Sequence, residues 1–162
     1  MDMARVQSGR YAAEIDRELV VFLIGMRVNR VWKLHRWLPA FTAMPRMLRE
    51  LFAHPEKGLL AARFAWIGGP ALVQYWRSFD DLERFARSAD DPHLPAWRAF
   101  NRRAQRGPDV GIWHESYVVG PGTAESVYVN MPVVGLAAAT SSAQVQGRRG
   151  GARDRLAAPG AP

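Results

Sequence analysis

Histidine and carboxylate side chains are the groups of this sequence best suited to moving protons to and from a substrate. The chain of 162 residues contains four histidines and no cysteine. The lack of cysteine excludes disulfides, thiolate nucleophiles, iron–sulfur clusters and cysteine-ligated zinc. Any chemistry therefore depends on His, Asp, Glu, Tyr, Trp and Arg side chains.

His114 and Glu115 are the most informative of these groups, because they lie with Trp113 in the middle of an otherwise apolar predicted strand. Adjacent side chains of a strand point to opposite faces of the sheet, so one of the two must face the helices and the other the open face. A buried ionisable group would be costly unless paired or used, and its pKa would be displaced. A catalytic role and a structural pairing both stay open.

The other histidines carry weaker signals. His93 precedes Leu-Pro-Ala-Trp97 at the predicted start of a helix, where it either caps the helix or serves the site. A packed or capping role is favoured for His35, and a solvated position in a turn for His54. No phosphate-binding glycine loop, Ser-His-Asp arrangement or His-x-x-x-His pair is present, so nucleotide, hydrolase and simple zinc functions lack support.

The elements that must position these residues follow the order strand, helix, strand, strand, helix, strand. This order predicts an α+β, ferredoxin-like βαββαβ fold with a four-stranded antiparallel sheet and helices on one face. Pro39 and Pro45 interrupt the first helical pattern, which predicts a short helix followed by a second one from about Pro45. The predicted ranges are strands at 19–26, 59–67, 71–77 and 110–119, and helices within 31–51, at 79–88 and from His93.

A single domain is predicted at 10–140, with a flexible N-terminus at 1–9 and a disordered Arg/Gly/Ala-rich tail at 141–162. The formal charge is +7, but +3 of it lies in that tail, and the charges of the predicted domain alternate in sign. This pattern does not favour nucleic-acid binding. Without an apolar signal core or a run long enough to span a membrane, we expect a cytoplasmic protein with no membrane partner.

Aromatic residues on the predicted strands indicate a homodimer. Those that face away from the helices would form an apolar patch too large to leave in water, and a second copy packed sheet to sheet would bury it. The aromatics on strands are Phe22, Phe64, Trp66, Tyr75, Trp76, Trp113 and Tyr117.

Several sequence strings together carry a family resemblance that runs from about Gly9 to Thr140. The chain resembles a family of small proteins formerly of unknown function, grouped with dimeric α/β-barrel proteins and named after a fungal monooxygenase of terpenoid secondary metabolism. That family is similar to the antibiotic-biosynthesis monooxygenases. The strings are Val20-Val-Phe-Leu-Ile-Gly-Met-Arg-Val-Asn29, Trp37-Leu-Pro39, Met44-Pro-Arg-Met-Leu-Arg-Glu-Leu51, Leu72-Val-Gln-Tyr-Trp-Arg-Ser-Phe79, His93-Leu-Pro-Ala-Trp97 and Gly111-Ile-Trp-His-Glu115.

The resemblance implies a monooxygenase that oxygenates a small hydrophobic, secondary-metabolite-type substrate with molecular oxygen, without metal or flavin. Such an enzyme needs a dry pocket, a base and donors for developing negative charge. On this interpretation His114 or Glu115 is the base, His93, Tyr75 and Asn130 orient the substrate, and Trp76, Trp97 and Trp113 form the walls.

Two alternatives stay open. Dimeric α/β barrels also include haem enzymes such as aldoxime dehydratases and chlorite dismutases, in which a neutral histidine would ligate the iron. The other alternative is a non-catalytic ligand-binding or stress-related module, with a real pocket for a small ligand and no turnover.

Overall fold

The computed structural model describes residues 5–88, 102, 107–145 and 151–156. Seven strands and four helices occur within them. The strands are β1 Gln7–Glu14, β2 Leu19–Val28, β3 Leu59–Trp66, β4 Pro70–Trp76, β5 Val110–Val119, β6 Tyr128–Met131 and β7 Ser141–Gln144. The helices are α1 Leu34–Ala53, α2 Phe79–Arg87, α3 Leu136–Ala139 and α4 Ala152–Leu156, with a 3-10 turn at Pro55–Lys57.

The main sheet has the strand order β3-β4-β2-β5, and every neighbouring pair is antiparallel. Its strands follow the chain order β2, α1, β3, β4, α2, β5. This is the ferredoxin-like α+β arrangement, so the predicted fold class is confirmed. The predicted hairpin is β3 with β4. The further helix predicted from His93 lies outside the described residues, apart from Arg102, which is helical.

The core lies between one face of the main sheet and helices α1 and α2. Val20 and Trp76 are completely buried on the sheet side, and Leu51 of α1 is completely buried opposite them. Fully burying one such side chain contributes about 1.5–3 kcal/mol to stability. We call this side of the sheet the helix face and the other side the open face.

Helix α1 corrects one prediction, because it runs unbroken from Leu34 to Ala53 with Pro39 and Pro45 inside it. Its apolar side chains contact the sheet on both sides of Pro45, with Trp37 before it and Leu48 after it. This packing on both sides of Pro45, with Leu48 and Leu51 buried, offsets the two missing backbone hydrogen bonds and overrides the local preference for a break.

Helix α2 begins as predicted. Ser78 is its N-cap, and the Ser78 hydroxyl accepts a hydrogen bond from the Asp81 backbone N–H at 3.1 Å. The Asp81 carboxylate accepts hydrogen bonds from Arg77 at 2.7 Å and Arg84 at 2.6 Å. The guanidinium of Arg77, followed by that of Arg84, holds the pKa of Asp81 below its ordinary 3.8 despite burial.

A second, three-stranded sheet has the order β6-β1-β7. Strand β7, at Ser141–Gln144, pairs antiparallel with β1, and Ala152–Leu156 form α4. Regular structure therefore extends into the range 141–162 that was predicted as a disordered tail, and β1 begins within the predicted flexible range 1–9. The structure of β7 depends on its partner strand, because its own residues carry no apolar pattern. Within the described residues, no helix is long and apolar enough to cross a membrane.

Candidate active site on the helix face of strands β2 and β5

The alternation of side chains along β5 predicted that His114 and Glu115 lie on opposite faces, and the structure places His114 on the helix face and Glu115 on the open face. His114 is in register with Ile24 of β2, which packs against the buried core, while Glu115 is in register with Leu23. Both side chains are exposed, so the expected burial of an ionisable group in this strand is not observed.

The imidazole of His114 is flanked by an aromatic ring. The ring centroids of Phe22 and His114 are 5.8 Å apart and tilted by 41°. Ser116 lies two residues further along β5 on the same face, in register with Phe22. The patch formed by these side chains contains one base, one aromatic ring and one hydroxyl group, from His114, Phe22 and Ser116. We call it the His114 patch.

The core borders the His114 patch on the β4 side. Gln74 is in register with Phe22, and the Gln74 side chain is buried with its Oε1 accepting a hydrogen bond from the Trp76 indole N–H at 2.9 Å. The Trp76 ring also packs on Phe85 of α2 at 5.3 Å. Trp76, predicted as a pocket wall, is a core residue with no exposed surface.

Helix α1 borders the patch on the side of the β5 N-terminus. Trp37 packs there against a small cluster formed by Met26 and Val110, and its indole N–H donates to the Val31 carbonyl at 3.1 Å. The Phe41 ring meets Trp37 edge to face at 6.4 Å. These contacts give this end of the patch an aromatic wall.

Asp109 fixes the start of β5 relative to α1. Its backbone carbonyl accepts hydrogen bonds from the backbone N–H groups of Asn29 and Arg30, and its carboxylate binds Lys33 Nζ at 2.9 Å and Arg30 at 3.0 Å. The Lys33 ammonium, aided by Arg30 and Arg36, lowers the pKa of Asp109. The strand that carries His114 is therefore anchored to the helix that walls the patch.

The open face carries a different group of predicted site residues. The Tyr117 hydroxyl donates a hydrogen bond to the Glu115 carboxylate at 2.5 Å, and this carboxylate raises the pKa of Tyr117 above its ordinary 10.0. The Trp113 indole lies over Gly25, where an added Cβ would come within 2.6 Å of it. Glu115 and Trp113 are thus neighbours on one strand, on the side opposite His114.

Tyr75 also lies on the open face, under helix α3. Its hydroxyl and that of Tyr128 converge on Gly135, where a Cβ would lie 3.3 Å and 3.1 Å from them, and the φ of Gly135 is +62°. Burial, followed by the neighbouring Tyr128 phenol, raises the pKa of Tyr75, and Arg63 opposes the shift. Asn130 lies apart in β6 and accepts a hydrogen bond from the Gly9 N–H at 2.9 Å.

The structure therefore divides the predicted site residues. Glu115, Trp113 and Tyr75 share the open face, His114 faces the helices, and Asn130 lies in the small sheet. His93 and Trp97 lie outside the described residues. Sequence reasoning missed Phe22 and Ser116, although the alternation of side chains along β2 and β5 was a signal that could have placed both beside His114.

The remaining histidines have simple surroundings. His54 Nδ1 lies 2.8 Å from the Glu56 carboxylate, both side chains are exposed in the turn after α1, and His35 is exposed on α1. A hydrogen bond from the Glu56 backbone, and then the one from His54, lower the pKa of Glu56. Among the residues that the structure describes, no three His, Asp or Glu side chains group to hold a metal ion.

A family model described as monooxygenase af470-like matches residues 19–136. This match spans most of the chain, from the first residue of β2 to the first residue of α3. The chain belongs to the monooxygenase af470-like family. The match includes the whole main sheet, and with it both the His114 patch and the open face.

The solved structures to which this chain is similar include an aldoxime dehydratase and a dimeric ferredoxin-like protein. The first, a crystal structure of aldoxime dehydratase, has a TM-score of 0.62 and 19% sequence identity, covering 96% of this chain and 46% of the dehydratase. The chain thus spans less than half the length of that protein, and the likeness shows the fold alone. The second is a crystal structure of a dimeric ferredoxin-like protein from an uncultured marine organism, with a TM-score of 0.34 and 10% sequence identity. The match covers 64% of this chain and 96% of that protein. No curated protein matches the chain.

Proposed function

We propose that the protein is a monooxygenase that oxygenates a small hydrophobic, secondary-metabolite-type substrate at the His114 patch, without metal or flavin. His114 is the general base, Phe22 supports the substrate ring, and Ser116 donates a hydrogen bond to its oxygen. The observation that carries the proposal is the position of His114 at 5.8 Å from the Phe22 ring, on the side of β5 that faces the helices.

The imidazole group suits this role because histidine is the side chain that enzymes use most often as a general base. The surrounding surface is apolar, with Ile24 in register with His114 and Val118 further along β5. An apolar surface favours a hydrophobic substrate, and a bound substrate that covers the patch would itself exclude water from the reacting carbon.

The proposed reaction balances with oxygen as the only oxidant. His114 removes a proton from an activated CH2 group, and the carbanion gives one electron to O2. The resulting substrate radical and superoxide combine to a peroxide, which takes up the proton from His114 and loses water. The sum is CH2 + O2 → C=O + H2O, so one oxygen atom enters the product and the other leaves as water.

The test is oxygen uptake with anthrone, whose CH2 group is acidic and electron-rich. His114→Ala should lower turnover by a factor of about 100 or more, as expected for the loss of a general base. The matched control is His35→Ala, which removes an exposed histidine of α1 and should leave turnover unchanged. Glu115→Gln tests the other predicted base: if it abolishes turnover while His114→Ala does not, the proposal is wrong.

Haem binding is a second candidate function, favoured by the aldoxime dehydratase likeness that covers 96% of this chain. The residues present fit such a group: the His114 ring is exposed and could supply a neutral imidazole ligand, with Phe22 beside it to flank a macrocycle. Haem would supply the iron chemistry. A Soret band in freshly purified protein or after hemin titration, lost in His114→Ala, would favour this candidate over the first. Tight binding of a probe without turnover would favour a non-catalytic module.

We also propose a homodimer that buries the open face, because Tyr117 is half exposed there and Trp113 is only partly covered. Sedimentation velocity of the full chain tests this, and a single monomeric species at high concentration would contradict it. Cytoplasmic location, a role in secondary metabolism and the contributions of His93 and Trp97 remain predictions from the sequence.

A further inference from the structure

The open face carries one row of side chains with opposite charges at its two ends. Strand register places Arg63 of β3 beside Val73 of β4, Val73 beside Leu23 of β2, and Leu23 beside Glu115 of β5. We call these four residues the charged row. With a spacing of about 4.8 Å between strands, its positive and negative ends are about 14 Å apart. Both charged side chains are exposed.

The adjacent row adds a difference in size. It runs Ala65, Ala71, Gly25 and Trp113 in the same strand order, so its bulk is concentrated on β5 and its small residues lie on β3, β4 and β2. In these two rows, the two edge strands of the open face therefore differ in charge and in size. Strand β5 carries an acidic and a bulky side chain, and strand β3 carries a basic and a small one.

Helix α3 limits the surface that a partner could reach. It contacts β3 and β4, and Ala61 on the open face of β3 is buried. Leu23 and Val73 in the middle of the charged row are only partly covered. The accessible part of the open face is therefore the charged row with Trp113 and Ala65 beside it, since Gly25 and Ala71 between them are buried.

We propose that a second copy of this chain docks on the charged row through a two-fold axis parallel to the strands and passing between Val73 and Leu23. This inference rests on the homodimer proposed above and adds its register. The axis places Glu115 of each copy opposite Arg63 of the other, Val73 opposite Leu23, and Trp113 opposite the small Ala65.

A second two-fold arrangement of two facing sheets has its axis along the row, across the strands. It would place Glu115 opposite Glu115 and Arg63 opposite Arg63, and like charges facing each other oppose association. Packed sheets lie about 10 Å apart, a gap that a glutamate and an arginine reaching from opposite sides can bridge. Charge order therefore selects one of the two symmetric arrangements.

Charge reversal tests the register directly. Glu115→Arg and Arg63→Glu each place two like-charge pairs in the homodimer, and each should raise the dimer dissociation constant by about 100-fold or more. Arg49→Glu, on an exposed position of α1, is the control for charge reversal alone and should leave the dissociation constant unchanged.

An equimolar mixture of the two variants should recover dimerisation. In the heterodimer, the introduced arginine of one variant faces the introduced glutamate of the other. The unchanged Arg63 of the first variant likewise faces the unchanged Glu115 of the second. Both contacts then join opposite charges, as in the wild type.

Sedimentation velocity of the wild type, the single variants and the mixture separates two kinds of failure. A monomeric wild type overturns the homodimer and this register together. A dimeric wild type whose Glu115→Arg and Arg63→Glu variants dimerise equally well, or whose mixture does not recover, overturns the register and leaves the homodimer standing. Recovery in the mixture supports a contact between copies, because a contact within one chain could not be restored by mixing.

Discussion

Gly25 and Trp113 form the contact on the open face for which the structure makes the sharpest prediction. An ideal Cβ on Gly25 would lie 2.6 Å from two indole atoms of Trp113, and the φ of Gly25 is not in the left-handed region. Gly25→Ala therefore meets a steric obstacle and no backbone strain. Since the indole is partly exposed and can rotate away, we expect the overlap to cost about 1–3 kcal/mol of unfolding free energy.

The same substitution carries an opposing benefit. Alanine restricts the unfolded chain more than glycine does, which stabilises a compatible site by about 0.4–1 kcal/mol. We expect Gly25→Ala to be net destabilising in the wild type, by up to roughly 2.6 kcal/mol from these two ranges. In a Trp113→Ala background the overlap is gone, and Gly25→Ala should become stabilising by about 0.4–1 kcal/mol.

Urea denaturation of the four proteins of this double-mutant cycle, at one fixed protein concentration, measures both values. The concentration must be constant because association would stabilise the folded state by mass action. If Gly25→Ala changes the unfolding free energy equally with and without Trp113, the indole does not lie over Gly25 and the reasoning is refuted.

The electrostatics and the core give three more expected outcomes. Because the pKa of Asp81 lies below its ordinary 3.8, this carboxylate contributes its full stabilisation above that pH and loses it as the pH falls through the lowered pKa. Thermal melting at a series of pH values should show this loss of stability. Asp81→Asn should remove this part of the pH dependence, and an unchanged pH profile in the variant would contradict the prediction. Trp76→Ala should lower the unfolding free energy by about 3–5 kcal/mol in urea denaturation, whereas Trp66→Ala, at a side chain 79% exposed, should change it by less than about 0.5 kcal/mol. Ultraviolet titration should show Tyr117 ionising above pH 10.0. In Glu115→Gln the pKa of the Tyr117 phenol should be lower than in the wild type. An identical titration in both proteins would show that the hydrogen bond does not form in solution.

The main sheet was predictable because its signals are local. Alternating and continuous apolar runs marked β2 to β5, and the side chain of Ser78 marked the start of α2. The assignment of His114 and Glu115 to opposite faces needed only the two-residue period of a strand. Which of them faced the helices depended on the register of β5 against β2, which involves residues far apart in the chain.

The predictions of a break in α1 and of disorder at 141–144 failed for the same reason, because contacts between distant parts of the chain determine the structure there. Pro39 and Pro45 predicted a break, but burial of α1 against the sheet keeps one helix. Residues 141–144 are polar and short, and they are a strand because β1 pairs with them. Tyr75 and Trp76 are an exception to this cause: they are neighbours on one strand, so the alternation of side chains alone ruled out a pocket shared by both.

Strand β1 is the central strand of the small sheet, and its partners β6 and β7 both come from the last part of the described chain. The hydrogen bond between Gly9 and Asn130 joins groups 121 residues apart. Contacts of such separation form late, because the entropy of closing a long loop must be overcome first. During synthesis β1 leaves the ribosome before the main sheet, while β6 and β7 emerge only after it. We therefore expect both edges of β1 to stay unpaired until its partners are made, and β1 to dock after the main sheet that follows it in the chain.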